Sequence, residues 1–309
     1  MYCIFRAKLK KFGIDIAYIS SNGKNIIMKY GLKHMNLIFF SDIDGTLINN
    51  NSFCYGRNIE TIKELLQANH HVIFNSSKTF AEIDYILKSE NLSIPFICET
   101  GGAVYCPRSF FGESENRRGD YDVIFESSKI SDFSRKIESV LSSEFKDEIL
   151  LFNDMSIKMK ERFSGLYGKD LERASSRDFS ILFKWHAGDE KLSKLRNILE
   201  DFNLTVIKGG RFFHICSNFN KYSAMKFILT KISHNSPEQI YKTVGIGDSS
   251  NDIEMLNKTD YKCVVQSINN TSLIAGLTSK DFILSTTRAP EGWQECIDNV
   301  FDRTRGLHG

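Results

Sequence analysis

The sequence predicts an α/β fold in which a parallel-sheet domain is interrupted by an inserted α+β module. Near both ends of the chain, short apolar runs alternate with segments of helical spacing, a rhythm typical of right-handed crossovers and a parallel sheet. In the middle of the chain, an alternating strand pattern is followed by helical and strand segments, which indicates helices on an antiparallel sheet. Two of the outer apolar runs end in acid-rich loops, at the end of a strand where open α/β sheets bind ligands.

The individual elements follow from apolar periodicity. In the first part we predict strands at 37–41, 72–75, 95–98 and 103–105, and helices at 58–68 and 80–87. In the middle we predict strands at 121–126, 181–185 and 204–207, and helices at 131–141 and 190–199. In the last part we predict strands at 243–246, 262–265 and 282–284, and helices at 224–232, from 252 and around 293–301.

These elements suggest three regions. Residues 36–116 and 209–309 form the parallel-sheet core, and residues 117–208 form the inserted module, with hinges at 117–119 and 209–210. Residues 1–35 form an N-terminal extension with seven basic residues and one acidic residue before Met35. A poorly ordered extension, a basic interaction tail and a translation start at Met35 all remain open for this segment.

Composition excludes several classes of protein. The 309 residues carry a formal net charge of +2, so no global charge indicates a nucleic-acid or membrane partner. No apolar run approaches the ~20 residues of a membrane span, and no secretory signal is evident. The seven cysteines are scattered without a CxxC pair, which favours free thiols in a reducing compartment. We therefore expect a cytoplasmic protein and make no prediction of its oligomeric state.

The clearest motif follows the first predicted strand, where Asp42 and Asp44 stand at alternate positions before Gly45-Thr46. Two acids this close repel each other, so a site that keeps both ionised should hold a cation. The glycine permits a sharp turn, and Thr46 offers amide and hydroxyl donors to an anion. A solvated Asp-Gly turn is the alternative.

A second acid pair, Asp248 and Asp252, follows the predicted strand 243–246. Asp252 by itself could be a helix N-terminal acid stabilised by the dipole. That explanation does not account for acid pairs after two separate strands. Hard oxygen ligands of this kind suit Mg²⁺.

Two further motifs could contact an anion. Ser76, Ser77 and Lys78 follow the second predicted strand, where hydroxyls and amides at a helix start make an anion site. Ser77 could equally be a helix cap. Lys221, at the start of a predicted helix, would by local sequence be an ordinary surface charge.

Taken together and in this order, these motifs resemble those of the haloacid dehalogenase-like (HAD) hydrolases. Further stretches resemble the mannosyl-3-phosphoglycerate phosphatase family within that superfamily: 76–82, 99–105, 176–179, 209–212 and 290–293. The likeness spans about residues 35–300 and implies a HAD-like Rossmannoid core with an inserted α+β cap domain. Serine at 76, where the family has threonine, and Asn220 and Tyr222 around Lys221 depart from its usual pattern.

The resemblance implies a Mg²⁺-dependent phosphatase acting on a phosphorylated sugar. Asp42 would be the nucleophile that forms an aspartyl-phosphate, and Asp44 the general acid and base. Ser76 and Lys221 would complete the catalytic set by holding phosphate oxygens. Metal ligands would come from Asp42, the Asp44 carbonyl, Asp248 and Asp252.

The organic part of the substrate would be bound by the cap and the neighbouring loops. Candidate substrate-binding residues are Thr46, Ser77, Lys78, Arg177 and Arg211. Arg177 could bind a glycerate carboxylate, since its planar fork fits that group, or could form a salt bridge between domains. His214 is a weaker candidate and could be an ordinary strand residue. The substrate expected is mannosyl-3-phosphoglycerate; the glucosyl equivalent, another sugar phosphate and a sugar phosphomutase remain alternatives.

Overall fold

The computed structural model describes residues 4–8, 15–21, 24–26, 35–108, 110–112, 115–268 and 270–306. At the N-terminal end, strands β1 (Ile4–Lys8), β2 (Asp15–Ser21) and β3 (Lys24–Ile26) pair antiparallel in a sheet of their own. The expectation of a poorly ordered extension over residues 1–35 lies partly outside the described residues. The part that is described contains these three strands.

The remaining elements alternate along the chain. The strands are β4 (Asn36–Ser41), β5 (His71–Asn75), β6 (Phe96–Cys98), β7 (Ala103–Pro107), β8 (Arg117–Arg118), β9 (Tyr121–Glu126), β10 (Ile149–Leu151), β11 (Ser180–Trp185), β12 (Leu204–Lys208), β13 (Phe213–Ser217), β14 (Tyr241–Gly247), β15 (Tyr261–Val264) and β16 (Ile283–Leu284). The helices are α1 (Asn58–Gln67), α2 (Phe80–Ser89), α3 (Ile130–Glu144), α4 (Ile157–Ser164), α5 (Gly168–Ser175), α6 (Asp189–Glu200), α7 (Lys221–Asn235), α8 (Ile253–Asn257), α9 (Asn270–Ala275) and α10 (Glu291–Gly306).

The largest sheet of the described residues has the strand order β16-β15-β14-β4-β5-β6-β7-β9-β8. Strands β16 to β6 in this order are parallel, and β7, β9 and β8 continue the sheet in antiparallel pairs. In β4, Leu37 and Phe39 pack with α1, α2 and α10, whereas Ile38 and Phe40 pack with α7, α8 and α9 on the other face. Burial on both faces explains why this strand is continuously apolar. The predicted α/β class and the parallel core are confirmed.

A second sheet has the order β10-β11-β13-β12 with all neighbours antiparallel. Helices α3 and α6 cover one of its faces through residues such as Phe133 and Leu195. Leu182 and Phe212, on the other face, pack with residues of α4 and α5. This sheet with its helices is the α+β cap.

The strands near the two predicted hinges belong to different sheets than expected. We had placed 117–126 in the inserted module, but β8 and β9 pair into the large sheet. We had placed residues from 209 onward in the core, but β13 pairs with β11 and β12 in the cap. The alternating sequence of β9 indicates a half-buried strand, which either sheet could contain. Gly209 and Gly210 turn the chain between two cap strands and do not carry it between domains.

Two smaller findings bear on the expected cellular setting. Within the described residues, no helix is long and apolar enough to cross a membrane. The described cysteines are free thiols, five of them buried and Cys54 exposed. Cys3 lies outside the described residues.

Candidate active site

Asp42 lies at the carboxyl end of β4, which pairs with parallel strands on both sides. Its backbone N–H donates to the Ile246 carbonyl at 2.9 Å, which extends the ladder by one residue beyond the strand. Behind it, the Ser41 hydroxyl donates to the Asp42 carbonyl at 2.7 Å and accepts from the indole N–H of buried Trp293 at 2.9 Å. The backbone of Asp42 is therefore fixed from two sides.

The turn after Asp42 needs a glycine. Gly45 has φ +76°, and a Cβ at this position would stand 2.7 Å from Oδ2 of Asp248. The turn leaves the Asp44 carboxylate 35% exposed, with one oxygen 3.0 Å from Nζ of Lys78. Asp44 can therefore be reached by a ligand while it is still anchored by a cation.

The second acid pair lies on the neighbouring strand end. Asp248 directly follows β14, and a short 3-10 turn then brings Asp252 back beneath it. Oδ2 of Asp252 accepts hydrogen bonds from the backbone N–H groups of Asp248 and Ser249, each at 3.1 Å. A Cβ on Gly247 would stand 2.4 Å from Cγ of Asp252, so only glycine permits this close packing. Asp252 is completely buried and held rigidly.

Lys221 joins the two acid-bearing loops. It opens helix α7, whose start is capped by Asn220, and its side chain is fully buried. Its ammonium lies 2.6 Å from Oδ1 of Asp42 and 2.6 Å from Oδ1 of Asp252. Burial alone would lower the pKa of Lys221, but Asp252 and Asp42 raise it above its ordinary value. The lysine is thus a fixed positive charge beneath the site.

The carboxylates of Asp42, Asp248 and Asp252 form one cluster, with one oxygen of each within 4.8 Å of the others. Three buried carboxylates face the single ammonium of Lys221. Burial raises the pKa of Asp42 to about 7 in spite of Lys221, and Asp252 adds to the increase. Burial and the charges of Asp42 and Asp252 also raise the pKa of Asp248.

This donor set fits a divalent cation. The excess negative charge needs a positive partner, and the ligand atoms are hard oxygens. The Thr46 hydroxyl lies 3.3 Å from Oδ2 of Asp42 and 3.3 Å from Oδ1 of Asp248, but its single hydrogen can satisfy only one of them. Both oxygens of Asp252 already accept hydrogen bonds, so Asp42 and Asp248 have the greater coordinating capacity.

The loop that carries Ser76, Ser77 and Lys78 follows β5, the strand next to β4 in the sheet. Asn75 donates to the backbone carbonyl of Lys221 at 3.0 Å and so ties this loop to α7. Ser76 is fully buried, and its hydroxyl accepts from the N–H of Lys78 at 3.3 Å. Thr79, rather than Ser77, caps α2, in a reciprocal capping box with Glu82. Ser77 is therefore not needed as the cap, and it lines the cavity described below.

Lys78 is buried in contact with two acids. Its ammonium lies 3.0 Å from Asp44 and 3.2 Å from Glu82. Burial would lower the pKa of Lys78, but these two carboxylates raise it above its ordinary value. Lys78 therefore adds a second positive charge, beside Asp44, whereas Lys221 contacts Asp42 and Asp252.

A cavity of about 390 Å³ lies between these loops and the cap. Its core wall includes Asp42, Asp44, Ser77, Lys78 and Asp248. Its cap wall includes Phe152, Leu182, Arg177, Arg211, Phe212 and His214. The structure thus brings Asp42, Asp44 and Asp248 and the two predicted cap arginines to one cavity. The other predicted catalytic and metal-binding residues are fully buried and are not among its lining residues: Ser76, Lys221 and Asp252.

The two arginines differ in their partners. The side chain of Arg177 is only 8% exposed, donates to the Ser77 carbonyl and the Ser180 hydroxyl at 2.9 Å each, and lies 3.4 Å from Glu99. It therefore forms the interdomain ion pair that was the alternative to carboxylate binding. Arg211 donates to the Asn50 carbonyl at 2.7 Å and to the Ser164 carbonyl. It forms no ion pair with a carboxylate among the described residues.

Sequence reasoning gave no role to Glu99, although the motif that contains it was noted. Its buried carboxylate accepts from the N–H groups of Asp178 and Phe179 at 2.9 and 3.1 Å and from the Ser180 hydroxyl at 2.7 Å. Glu99 is thus the core residue to which the cap segment is attached. The sequence feature that could have indicated this role is its position directly after a predicted strand, at the sheet edge where functional residues gather.

Comparison of the sequence with known proteins finds one matching family and similar phosphatases. The family model for haloacid dehalogenase-like hydrolase matches residues 39–275. A glucosyl-3-phosphoglycerate/mannosyl-3-phosphoglycerate phosphatase from Persephonella marina is 29% identical over 272 residues, covering 86% of this chain and 97% of that protein. A protein of the same name from Methanococcoides burtonii is 26% identical, covering 88% of this chain and 100% of that protein.

Solved structures share the fold. SMU.1108c from Streptococcus mutans is 15% identical with a TM-score of 0.60, covering 87% of this chain and 98% of that chain. A haloacid dehalogenase-like hydrolase from Bacteroides thetaiotaomicron is 13% identical with a TM-score of 0.58, covering 87% and 99%. At these identities the likeness concerns the architecture alone.

Proposed function

The chain belongs to the haloacid dehalogenase-like hydrolase family, and from this premise we propose that it is a Mg²⁺-dependent phosphatase of mannosyl-3-phosphoglycerate. The products are mannosylglycerate and phosphate. The observation that carries the proposal is the cluster of Asp42, Asp248 and Asp252 around Lys221, beneath a cavity that the cap encloses. The substrate follows the names of the two relatives, both of which are phosphatases for the mannosyl and the glucosyl ester.

In the proposed reaction, Oδ2 of Asp42 attacks phosphorus, because Oδ1 is held by Lys221 at 2.6 Å. The new O–P bond forms an aspartyl-phosphate as the bond from phosphorus to the alcohol oxygen breaks. Asp44 gives a proton to the leaving alkoxide and then takes one from the water that hydrolyses the intermediate. Its partial exposure and its contact with Lys78 suit a group that meets substrate.

The acid cluster needs a cation for this chemistry. The pKa of about 7 of Asp42 means that, without a cation, much of the nucleophile would be protonated near neutral pH. Asp42, Asp248 and the carbonyl of Asp44 would hold Mg²⁺, with Asp252 as a supporting acid. The ion supplies charge neutralisation between the nucleophile and the phosphate.

The phosphate-binding role is assigned to two fully buried residues beside the cavity, Lys221 in contact with Asp42 and Ser76 next to Ser77. Lys221 and the hydroxyl of Ser76 are proposed to stabilise phosphate oxygens, and Thr46 orients the carboxylates that it contacts. Within the described residues, Arg211 has two backbone carbonyl partners and no acidic partner, so its positive charge is proposed to bind an anionic leaving group. Arg177 is proposed to hold the cap against the core loop while it lines the same cavity.

The test is a phosphate-release screen with Mg²⁺ on mannosyl-3-phosphoglycerate, glucosyl-3-phosphoglycerate and simple sugar phosphates. We expect the two glycosyl esters to be the best substrates and the variant Asp42→Asn to lose activity by at least about 10³-fold. Equal rates for wild type and Asp42→Asn would refute the mechanism. Conversion of a sugar phosphate to its isomer with little free phosphate would favour the phosphomutase alternative.

A further inference from the structure

His214 lies on the cavity side of the cap sheet. Its neighbours in β13, Phe213 and Ile215, pack into the core beneath α3 and α6. The imidazole therefore points to the opposite face, where its cross-strand partner is Leu182. His214 and Leu182 both line the cavity.

The imidazole is a buried polar group with an unused hydrogen-bonding atom. His214 is only 5% exposed, and its Nδ1 has no hydrogen-bond partner in the described part of the chain. The ring packs closely on Gly209, where a Cβ would stand 2.6 Å from Nε2. Buried polar groups are nearly always paired, so an unpaired one on a cavity wall indicates a partner supplied by a ligand.

The charge state of this imidazole limits which partner it suits. Burial, with the positive charges of Arg177 and Lys221, lowers the pKa of His214 to about 3. The ring is therefore neutral at working pH and offers one donor and one acceptor. That pair of functions matches a hydroxyl group, which also donates and accepts. An anion is better matched by Arg211 at the rim of the same cavity.

We propose that His214 is a specificity-determining residue that forms a hydrogen bond with a hydroxyl group on the organic part of the phosphate ester. The inference rests on the proposed phosphatase function and assigns a polyhydroxylated leaving group to it. The phosphate end of the substrate lies at the acid cluster, and the hydroxyl-bearing part lies against β13. An ester without hydroxyl groups gains nothing from this contact.

The test compares two esters in wild type, three His214 variants and one control variant. His214→Leu removes both ring nitrogens, whereas His214→Asn and His214→Gln keep a hydrogen-bonding group near the positions of Nδ1 and Nε2, respectively. His186→Leu is the matched control, because it makes the same substitution at an exposed histidine of the cap that is not among the cavity-lining residues. The esters are mannosyl-3-phosphoglycerate and p-nitrophenyl phosphate, which has no hydroxyl groups.

We expect His214→Leu to lower kcat/KM for mannosyl-3-phosphoglycerate by about 10- to 100-fold, the usual effect of one lost hydrogen bond to substrate. Activity on p-nitrophenyl phosphate should stay within about threefold of wild type. At least one of the two amide variants should recover part of the loss, and His186→Leu should resemble wild type on both esters. Because Nδ1 has no partner to lose, the thermal midpoint of His214→Leu should not fall.

Equal losses on both esters, or no loss on either, would overturn the inference. Failure of the proposed function is a separate result: wild type would release phosphate from neither ester. An independent readout is the ¹⁵N spectrum of the imidazoles in Asp42→Asn. Addition of mannosyl-3-phosphoglycerate should shift the resonances that His214→Leu removes. Unchanged resonances at saturating ester would also refute the contact.

Discussion

The acid cluster makes the stability of the metal-free protein depend on pH in an unusual direction. The pKa of Asp42 is about 7 in the folded protein, against an ordinary value of 3.8. The folded state therefore binds a proton more tightly than the unfolded state does. The stability from this group is fully present below about pH 4 and is lost as the pH rises to about 7.

The size of the effect follows from the same two values. At about 1.4 kcal/mol for each pH unit, the difference corresponds to about 4 kcal/mol of unfolding free energy. Asp248, whose pKa is also raised, acts in the same direction. A divalent cation should offset more than half of the loss from Asp42, since binding at about 100 times Kd adds about 2.7 kcal/mol.

The measurement is urea denaturation at pH 5 to 8 in EDTA and again in Mg²⁺. Fluorescence of Trp293 reports the core, provided that Trp185 in the cap is replaced by phenylalanine in every variant. We expect stability in EDTA to fall as the pH rises, and Asp42→Asn to remove much of that slope. A parallel pH dependence in the variant, or no dependence in the Asp42 protein, would refute the reasoning.

Three further predictions concern single positions. Lys221→Met leaves the buried acids without a cation, so chemical denaturation should show a loss of about 3–5 kcal/mol; unchanged stability would contradict this. Gly247→Ala forces a Cβ to within 2.4 Å of Asp252 and should weaken Mg²⁺ binding by at least tenfold in calorimetry. Gly210→Ala, which meets no atom within 4 Å, is its control, and equal affinities would count against the packing argument. Glu99→Gln should loosen the attached cap and raise KM for the glycosyl ester more than it lowers kcat; a change in kcat alone would oppose this role.

The local sequence was sufficient to predict a secondary-structure element wherever the burial of its own residues determines its type. The strand that ends at Asp42 is apolar throughout because both of its faces are buried, so its type and its end were readable. In the strand before Asp248 only the carboxyl-terminal half, from Val244 onward, is buried, and this half was enough to indicate its type. Two acid-bearing loops on parallel strands had to meet at one edge of the sheet.

The local sequence did not show which strands or side chains pair with partners that are distant along the chain. The alternation of Tyr121–Glu126 shows a strand but not the sheet it joins, and Gly209 marks a turn but not the domain that contains it. Lys221 is an ordinary lysine until α7 brings it to Asp42 and Asp252, 179 and 31 positions away. Arg177 could not be separated from an ion pair, because its acid partner lies in a distant core loop.

The contact from Trp293 to Ser41 has a consequence for biosynthesis. The support behind residue 42 comes from the last helix of the chain, about 250 positions downstream. While this helix is still inside the ribosome, the nascent chain already contains the catalytic acids. It lacks the Trp293 indole, which holds Ser41 next to Asp42. Catalytic competence should therefore arise late in translation, after the segment around residue 293 is free to fold.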